Sequence, residues 1–160
     1  MHLINSLGKL GEYTVGACFV MEVDGHHGFE VAFLGDKAQV LDFRISLIDA
    51  DGKTFGSHFN LQVKARRAPP LDRPIQVGFT LAEVARASAM NVPLFVAVIE
   101  ELPRRKTKVW IKAVVDPTVG VDSIQRKHSL NSNATLKKLY GEVMAHFTGV
   151  AGQTSKSSLI

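Results

Sequence analysis

Residues 39–67 read QVLDFRISLIDADGKTFGSHFNLQVKARR, and apolar and polar residues alternate on both sides of DADGK at residues 49–53. The Asp and Gly of DADGK are typical of a hairpin turn, so we predict two antiparallel strands. With the turn centred near Gly52, one face of the hairpin is a continuous apolar surface. The predicted register on that face pairs Leu41 with Val63, Phe43 with Leu61, and Ile45 with Phe59.

The opposite face of the hairpin is polar. It carries Asp42 opposite Gln62, Arg44 near Asn60, and Lys64 one diagonal step from Asp42. One interpretation is that this face meets water, as one face of many antiparallel sheets does. The other is a hydrolytic metal site, because a carboxylate and an amide carbonyl are ligands for a hard cation and an amine can stabilise charge or orient water.

The order of Asp42, a hairpin and Gln62-Val63-Lys64 resembles the PD-(D/E)XK nuclease superfamily. The glutamine resembles the variant last motif of the Mrr-type restriction endonuclease and Holliday junction resolvase-like branch. In that superfamily an acid on one strand and an acid-or-Gln, any residue, Lys motif on the next hold magnesium ions against the scissile phosphate. A glutamate on the preceding helix completes the set, and Glu12 is the residue that matches. The chain departs from the pattern at Leu41, where the family has proline, and at Gln62, where an acid is usual.

The resemblance covers residues 7–115 and implies an α/β (α+β) fold, a restriction-endonuclease-like mixed central sheet flanked by helices in αβββαβ order. It implies a metal-dependent endonuclease that hydrolyses DNA in defence, restriction or repair, with catalytic Asp42, Gln62, Lys64 and Glu12. Mg²⁺ or Mn²⁺ would be held by Asp42, Gln62 and Glu12, and the chain would form a homodimer or join a larger assembly. Two alternatives stay open: a catalytically silent nuclease-fold protein that binds nucleic acid or a partner as an accessory subunit, and an immunity-type interaction protein.

Basic side chains supply candidate nucleic-acid contacts. Arg66 and Arg67 precede a proline-rich loop that leaves the site-bearing strand, Arg44 lies on the polar face, and Lys127 belongs to a later basic run. A solvated connector explains Arg66 and Arg67 equally well. The net charge of +4 and the pI near 9.3 are compatible with a polyanionic partner.

Composition and the remaining patterns complete the expectations. With 160 residues, 46% hydrophobic, we expect one domain over residues 1–148 and a flexible tail over residues 149–160. A single Cys18 excludes an intramolecular disulfide, and the absence of a long apolar run favours a cytoplasmic protein with no membrane partner. The familiar nucleotide-loop, zinc-protease and serine-hydrolase motifs are absent.

The expected elements around the hairpin follow from periodicity and caps. A first helix over residues 6–22 carries Glu12 in its early turns, where an acid also suits the helix dipole without any metal. Asp36, in a turn, is the rival to Asp42 for the acid role. The other predicted elements are an edge strand at 29–34, a helix at 81–89 with a Thr80/Glu83 capping box, a buried parallel strand at 94–100, a strand at 108–115 and a helix at 134–147.

Overall fold

The computed structural model of the chain describes residues 2–35, 40–149 and 157–160. Within these residues the helices are α1 (His2–Cys18), α2 (Leu81–Ser88) and α3 (Asn133–Thr148). The strands are β1 (Glu22–Val23), β2 (His26–His27), β3 (Phe29–Phe33), β4 (Phe43–Ile48), β5 (Thr54–Arg67), β6 (Ile75–Phe79), β7 (Leu94–Leu102), β8 (Lys106–Ala113) and β9 (Val121–Ile124). No helix in the described part of the chain is long and apolar enough to cross a membrane.

A five-stranded sheet in the order β3-β4-β5-β7-β8 forms the centre of the molecule. Strands β5 and β7 are parallel and the other neighbours are antiparallel, so the sheet is mixed and the fold is of the mixed α and β class expected. Helix α2 lies in the connection from β5 to β7, as a parallel pair requires. The predicted parallel strand and the predicted edge strand, β3, are both confirmed.

The register of the central hairpin agrees with the prediction from alternation. Phe43 pairs with Leu61 and Ile45 with Phe59. The prediction fails at Leu41, which packs in the core on the opposite face of the sheet from Phe43. Regular pairing begins only at Phe43, so the period of two does not extend to the residues before it.

Hydrophobic cores lie on both faces of the sheet. Helices α1 and α3 cover one face, and the main contributors there are Val15, Phe19, Phe59, Leu61, Leu136 and Leu139. Helix α2 and the β6–β9 pair cover the other, with Ile75, Phe79, Val84, Val96, Val98 and Trp110. Asn60 and Gln62 are consequently buried, at 0% and 8% exposure, and this part of the hairpin's polar face does not meet water.

Two pairs of short strands were not predicted from the sequence. Strand β6, after the proline-rich loop, pairs with β9. Helix α1 ends at Cys18, short of the predicted end at residue 22. Residues 22–27 instead form the β1–β2 hairpin. Asp24 and Gly25 both have positive φ, of 52° and 81°, as a two-residue hairpin turn requires.

Residues 157–160, which the sequence placed in a flexible tail, are packed against the domain. The Ser158 backbone N–H donates to Glu142 of α3, the Ala113 N–H of β8 donates to the Leu159 carbonyl, and the Leu159 side chain is buried. A buried apolar side chain and backbone hydrogen bonds hold this end of the chain against the domain.

Candidate functional site

The candidate site lies where β4 begins. Pairing with β5 starts at Phe43, whereas β5 runs on to Arg67, so a notch opens beside β5. Asp42 occupies this notch. Its N–H donates to the Leu61 carbonyl at 3.1 Å, and its Oδ2 accepts from the Val63 N–H at 2.6 Å. The carboxylate therefore accepts the hydrogen bond that a backbone carbonyl would have accepted from Val63 if β4 had continued alongside β5.

Gln62 lies directly beside this carboxylate. Its Nε2 donates to Asp42 Oδ2 at 2.7 Å and to the Val63 carbonyl at 3.2 Å. Burial raises the pKa of Asp42, and the Val63 N–H and the Lys64 charge act in the opposite direction without cancelling that rise. Oδ1 takes part in none of these hydrogen bonds, so it is the Asp42 oxygen that could bind a cation.

Lys64 follows on the same strand and points to α2. Its Nζ lies 3.2 Å from Glu83 Oε1 and 5.8 Å from the centroid of the Phe79 ring. Glu83 also forms the capping box with Thr80, as predicted. Burial raises the pKa of Glu83, but hydrogen bonds from Thr80 and the neighbouring Lys64 outweigh it, so the pKa is lowered. Glu83 is thus ionised at neutral pH and positions the lysine.

A groove of about 900 Å³ runs between α1 and the β3–β4 pair, and Glu12 and Asp42 both line it. Gly11 brings α1 close to the sheet: a Cβ there would lie 2.6 Å from Ile99 Cδ1 and 3.6 Å from Ala65 Cβ. This close approach holds α1 against β5 and β7. Val15 of α1 and Phe19 just after it are buried, whereas Leu10 and Tyr13 of α1 are exposed.

The described residues contain no group of three or more His, Cys, Asp or Glu side chains with metal-binding geometry. Asp42 accepts a hydrogen bond from Gln62 and lines the same groove as Glu12, so it is the residue that links these three predicted ligands. Asp36, the rival acid, lies outside the described residues. Burial raises the pKa of Cys18 to about 11, which makes this thiol a core residue and a poor ligand.

The predicted basic residues do not form one cluster. Arg66 belongs to β5, and its guanidinium donates to the Gln76 and Val77 carbonyls of β6, which gives it a structural role. Arg44 and Arg67 are exposed on β4 and β5. Lys127 is exposed beside a separate pocket of about 170 Å³, which Lys112 and His128 also line.

Sequence reasoning missed two features of the site. Glu83 was assigned only to the capping box, although it also holds Lys64. Phe33, at the groove, was read as part of an edge strand and nothing more. Their roles depend on contacts between distant elements, which no local pattern reports.

Comparisons of the chain with protein-family models, with curated proteins and with solved structures found no significant match. The functional assignment therefore stands on the geometry of Asp42 and its neighbours.

Proposed function

We propose that this protein is a metal-dependent endonuclease that hydrolyses DNA phosphodiester bonds, with the sheet and helices arranged as in the restriction-endonuclease-like fold. The observation that carries the proposal is the convergence of Asp42 and Gln62 in the notch, with Glu12 lining the same groove. Lys64, two residues after Gln62 on β5, lies near enough to Asp42 to act on its pKa.

Some of the candidate ligands suit a hard divalent cation. Mg²⁺ prefers carboxylate and carbonyl oxygens and keeps several waters, so a site with few protein ligands suits it. Asp42 Oδ1 and the Glu12 carboxylate supply acidic oxygens. Gln62 presents Nε2 to Asp42, and a half-turn of its amide would present Oε1 instead.

When bound, Mg²⁺ or Mn²⁺ would polarise the phosphate and lower the pKa of an attacking water. The Val63 N–H holds Asp42 through Oδ2, and Oδ1 takes no part in that hydrogen bond. Lys64 points to α2 on the other face of the sheet from α1, so it would have to leave Glu83 to place positive charge beside the phosphate, where charge develops in the reaction. The ion pair with Glu83 holds the Lys64 side chain in place, but it also partly neutralises the positive charge of the lysine.

One observation favours a second candidate function. Both hydrogen bonds at Asp42 Oδ2 have a structural purpose, since they close the end of the β4–β5 ladder. A catalytically silent nuclease-fold protein that binds DNA for a partner that cuts would retain this geometry.

Cleavage of a panel of linear, branched and single-stranded DNA with Mg²⁺ or Mn²⁺ distinguishes the two functions. We expect wild type to cleave, Asp42→Asn to bind without cleaving, and the exposed-carboxylate control Asp122→Asn to behave as wild type. Salt-dependent DNA binding by wild type without cleavage under any metal would favour the silent binder.

A further inference from the structure

A pocket of about 170 Å³ lies at the β8 edge of the central sheet, opposite the β3 edge. Asp42 precedes β4, and strands β5 and β7 separate β4 from β8, so the pocket is distinct from the candidate site. Isoleucine side chains form its apolar wall. Its polar lining comes from β8, β9 and the segment after β9: Lys112, Ser123, Gln125, Lys127 and His128.

Hydrogen bonds along the outer edge of β8 fix the backbone around this pocket. The Ile111 N–H donates to the His128 carbonyl, and the Ala113 N–H donates to the Leu159 carbonyl, both at 2.9 Å. His128 and Ile160, which belong to these two partner segments, both line the pocket. The pocket therefore lies between two segments that are already held on β8, and its lining needs little ordering to bind a ligand.

The pocket carries positive charge. Lys112 and Lys127 contribute two ammonium groups, and none of the described residues that line the pocket is acidic. Neither lysine forms an ion pair with another residue in the described part of the chain. Two cations around one concave surface raise the local concentration of anions when no neighbouring acid neutralises them.

The acid closest to this pocket is already occupied. Glu142 of α3 acts on His128 and tends to raise its pKa, but its carboxylate accepts hydrogen bonds from residues 157–158 at 2.5–2.7 Å. Burial lowers the pKa of His128, and the charges of Lys138 and Lys127 lower it further. These effects outweigh Glu142, so the ring is a neutral hydrogen-bonding group at pH 7.

The volume of the pocket selects a small ligand. One water molecule occupies about 30 Å³ in the liquid, so the pocket has room for roughly five or six waters or for one hydrated oxyanion. Pockets for larger organic ligands begin at about 300 Å³, so a whole nucleotide does not fit. A nucleic-acid backbone needs a charged groove that follows successive phosphates, whereas Lys127 is the one predicted nucleic-acid contact that lines this pocket.

We infer that this pocket binds a single phosphate group, supplied by inorganic phosphate or by a small phosphorylated molecule. The two lysines neutralise its charge, and the hydroxyl, amide and imidazole groups of the lining donate hydrogen bonds to its oxygens. The inference does not rest on nuclease activity, because the pocket shares no residue with the groove that Asp42 lines.

Isothermal titration calorimetry with inorganic phosphate, at an ionic strength held constant with NaCl, tests this inference. Lys112→Gln and Lys127→Gln each remove one charge from the pocket. Ser123→Leu keeps every charge but fills part of the volume. Lys106→Gln is the matched control, because it removes an exposed charge from β8 outside the pocket. Lys127 is also exposed, so its variant should keep the wild-type unfolding midpoint.

We expect wild type to bind one phosphate per chain in a saturable way. Lys112→Gln and Lys127→Gln should each weaken binding about 10- to 100-fold, the effect of one hydrogen bond to a charged group. Ser123→Leu should weaken binding as well, and Lys106→Gln should change it little. No saturable binding by wild type at millimolar phosphate, or equal weakening by Lys106→Gln, would overturn the inference.

A proton NMR titration of the His128 ring, assigned with His128→Gln, locates the bound anion. Sulfate is the probe, since it has the shape of phosphate and does not titrate in this pH range. The charged groups around the ring are Lys112 of β8, Lys127, and Lys138 and Glu142 of α3. An anion among them should raise the pKa of His128 relative to chloride, because it favours the charged ring. An unchanged pKa at saturating sulfate would place the anion elsewhere and overturn the inference.

Titration with ribose 5-phosphate distinguishes the two sources of the phosphate group. Tighter binding than inorganic phosphate, still dependent on Lys112 and Lys127, would assign the pocket to a phosphorylated molecule, and weaker binding would assign it to the free ion. DNA binding that depends on both lysines, by a protein that does not bind inorganic phosphate, would overturn the inference in favour of a nucleic-acid contact.

Discussion

Asp42 combines a structural and a chemical task at the scale of one residue. Its carboxylate completes the end of the β4–β5 ladder, but burial raises its pKa, so ionisation costs stability. The pKa of Asp42 is higher in the folded state than in the unfolded state. The loss of stability therefore grows as pH rises from the unfolded pKa through the folded pKa towards neutrality. We expect Asp42→Asn, which keeps an oxygen acceptor, to raise the free energy of unfolding at pH 7 by about 0.5–1 kcal/mol. The midpoint of thermal unfolding should rise accordingly.

Thermal unfolding of wild type and Asp42→Asn at pH 7 and near pH 3 checks this expectation. The difference should shrink at the lower pH, where the wild-type carboxyl is protonated. A variant that is less stable than wild type at pH 7 would show that the ionised carboxylate stabilises the fold.

Gln62→Glu tests the metal site by restoring the acid of the family pattern. Without metal the variant loses the hydrogen bond to Asp42 and places two carboxylates together, so we expect a loss of about 1–3 kcal/mol. Mg²⁺ should then raise its unfolding midpoint more than that of wild type, because a ligand that binds only the folded state stabilises it. An unfolding midpoint of Gln62→Glu that does not respond to Mg²⁺ or Mn²⁺ would contradict a cation site in the notch.

Helix α1 is the element that sets the position of Glu12. Gly11→Ala would insert a methyl group against Ile99 in a packed core, which costs about 1–3 kcal/mol and displaces the helix. Gly8→Ala, on the same helix with nothing within 4 Å, should instead gain up to about 1 kcal/mol from helix propensity. Chemical denaturation of both variants measures the contrast. Equal effects would mean that α1 does not pack through Gly11.

The predictability of the elements follows from how local their determinants are. The β4–β5 register and the α2 capping box are encoded within a few residues, and both were predicted. The pairing of β6 with β9 was missed, although Ile75, Val77 and Phe79 alternate as a strand should. The proline-rich loop before β6 obscured that signal, and its partner strand lies more than 40 residues away, beyond any local pattern.

The candidate site shows the same difference between features with local determinants and features that depend on long-range packing. Alternation predicted that Asp42, Gln62 and Lys64 lie together, because their relation depends on one hairpin. Sequence could not predict that Gln62 is buried or that Glu83 pairs with Lys64, since both depend on how the elements after β5 pack on the sheet. The buried face of α1 is likewise set by packing, which buries Val15 and leaves Leu10 and Tyr13 exposed.

An ion pair joins distant parts of the whole molecule. Glu100, 1% exposed on β7, pairs with Arg126 and accepts from Trp110 Nε1 at 2.9 Å. Arg126 also donates to the Pro69 and Arg73 carbonyls, so it fastens the proline-rich loop to the domain. Glu100→Gln leaves the arginine without its charge partner, and we expect a loss of about 3–5 kcal/mol.

The pH dependence of this pair has a definite sign. Burial raises the pKa of Glu100, but Arg126 and Trp110 outweigh it and the pKa falls below the ordinary value of 4.5. Stability from Glu100 is therefore complete above about that pH and is lost as pH falls through the folded pKa. Urea denaturation between pH 7 and pH 3 should show this loss in wild type and less of it in Glu100→Gln. Parallel pH profiles would contradict the role of the pair.

The measurement that tests the proposed function most directly is DNA cleavage by wild type and Asp42→Asn, side by side, with Mg²⁺, with Mn²⁺ and with EDTA. We predict cleavage by wild type with either metal, none in EDTA, and none by Asp42→Asn under any condition, although the variant still binds DNA. Cleavage by Asp42→Asn at the wild-type rate, or cleavage that persists in EDTA, would contradict a metal-dependent site at Asp42.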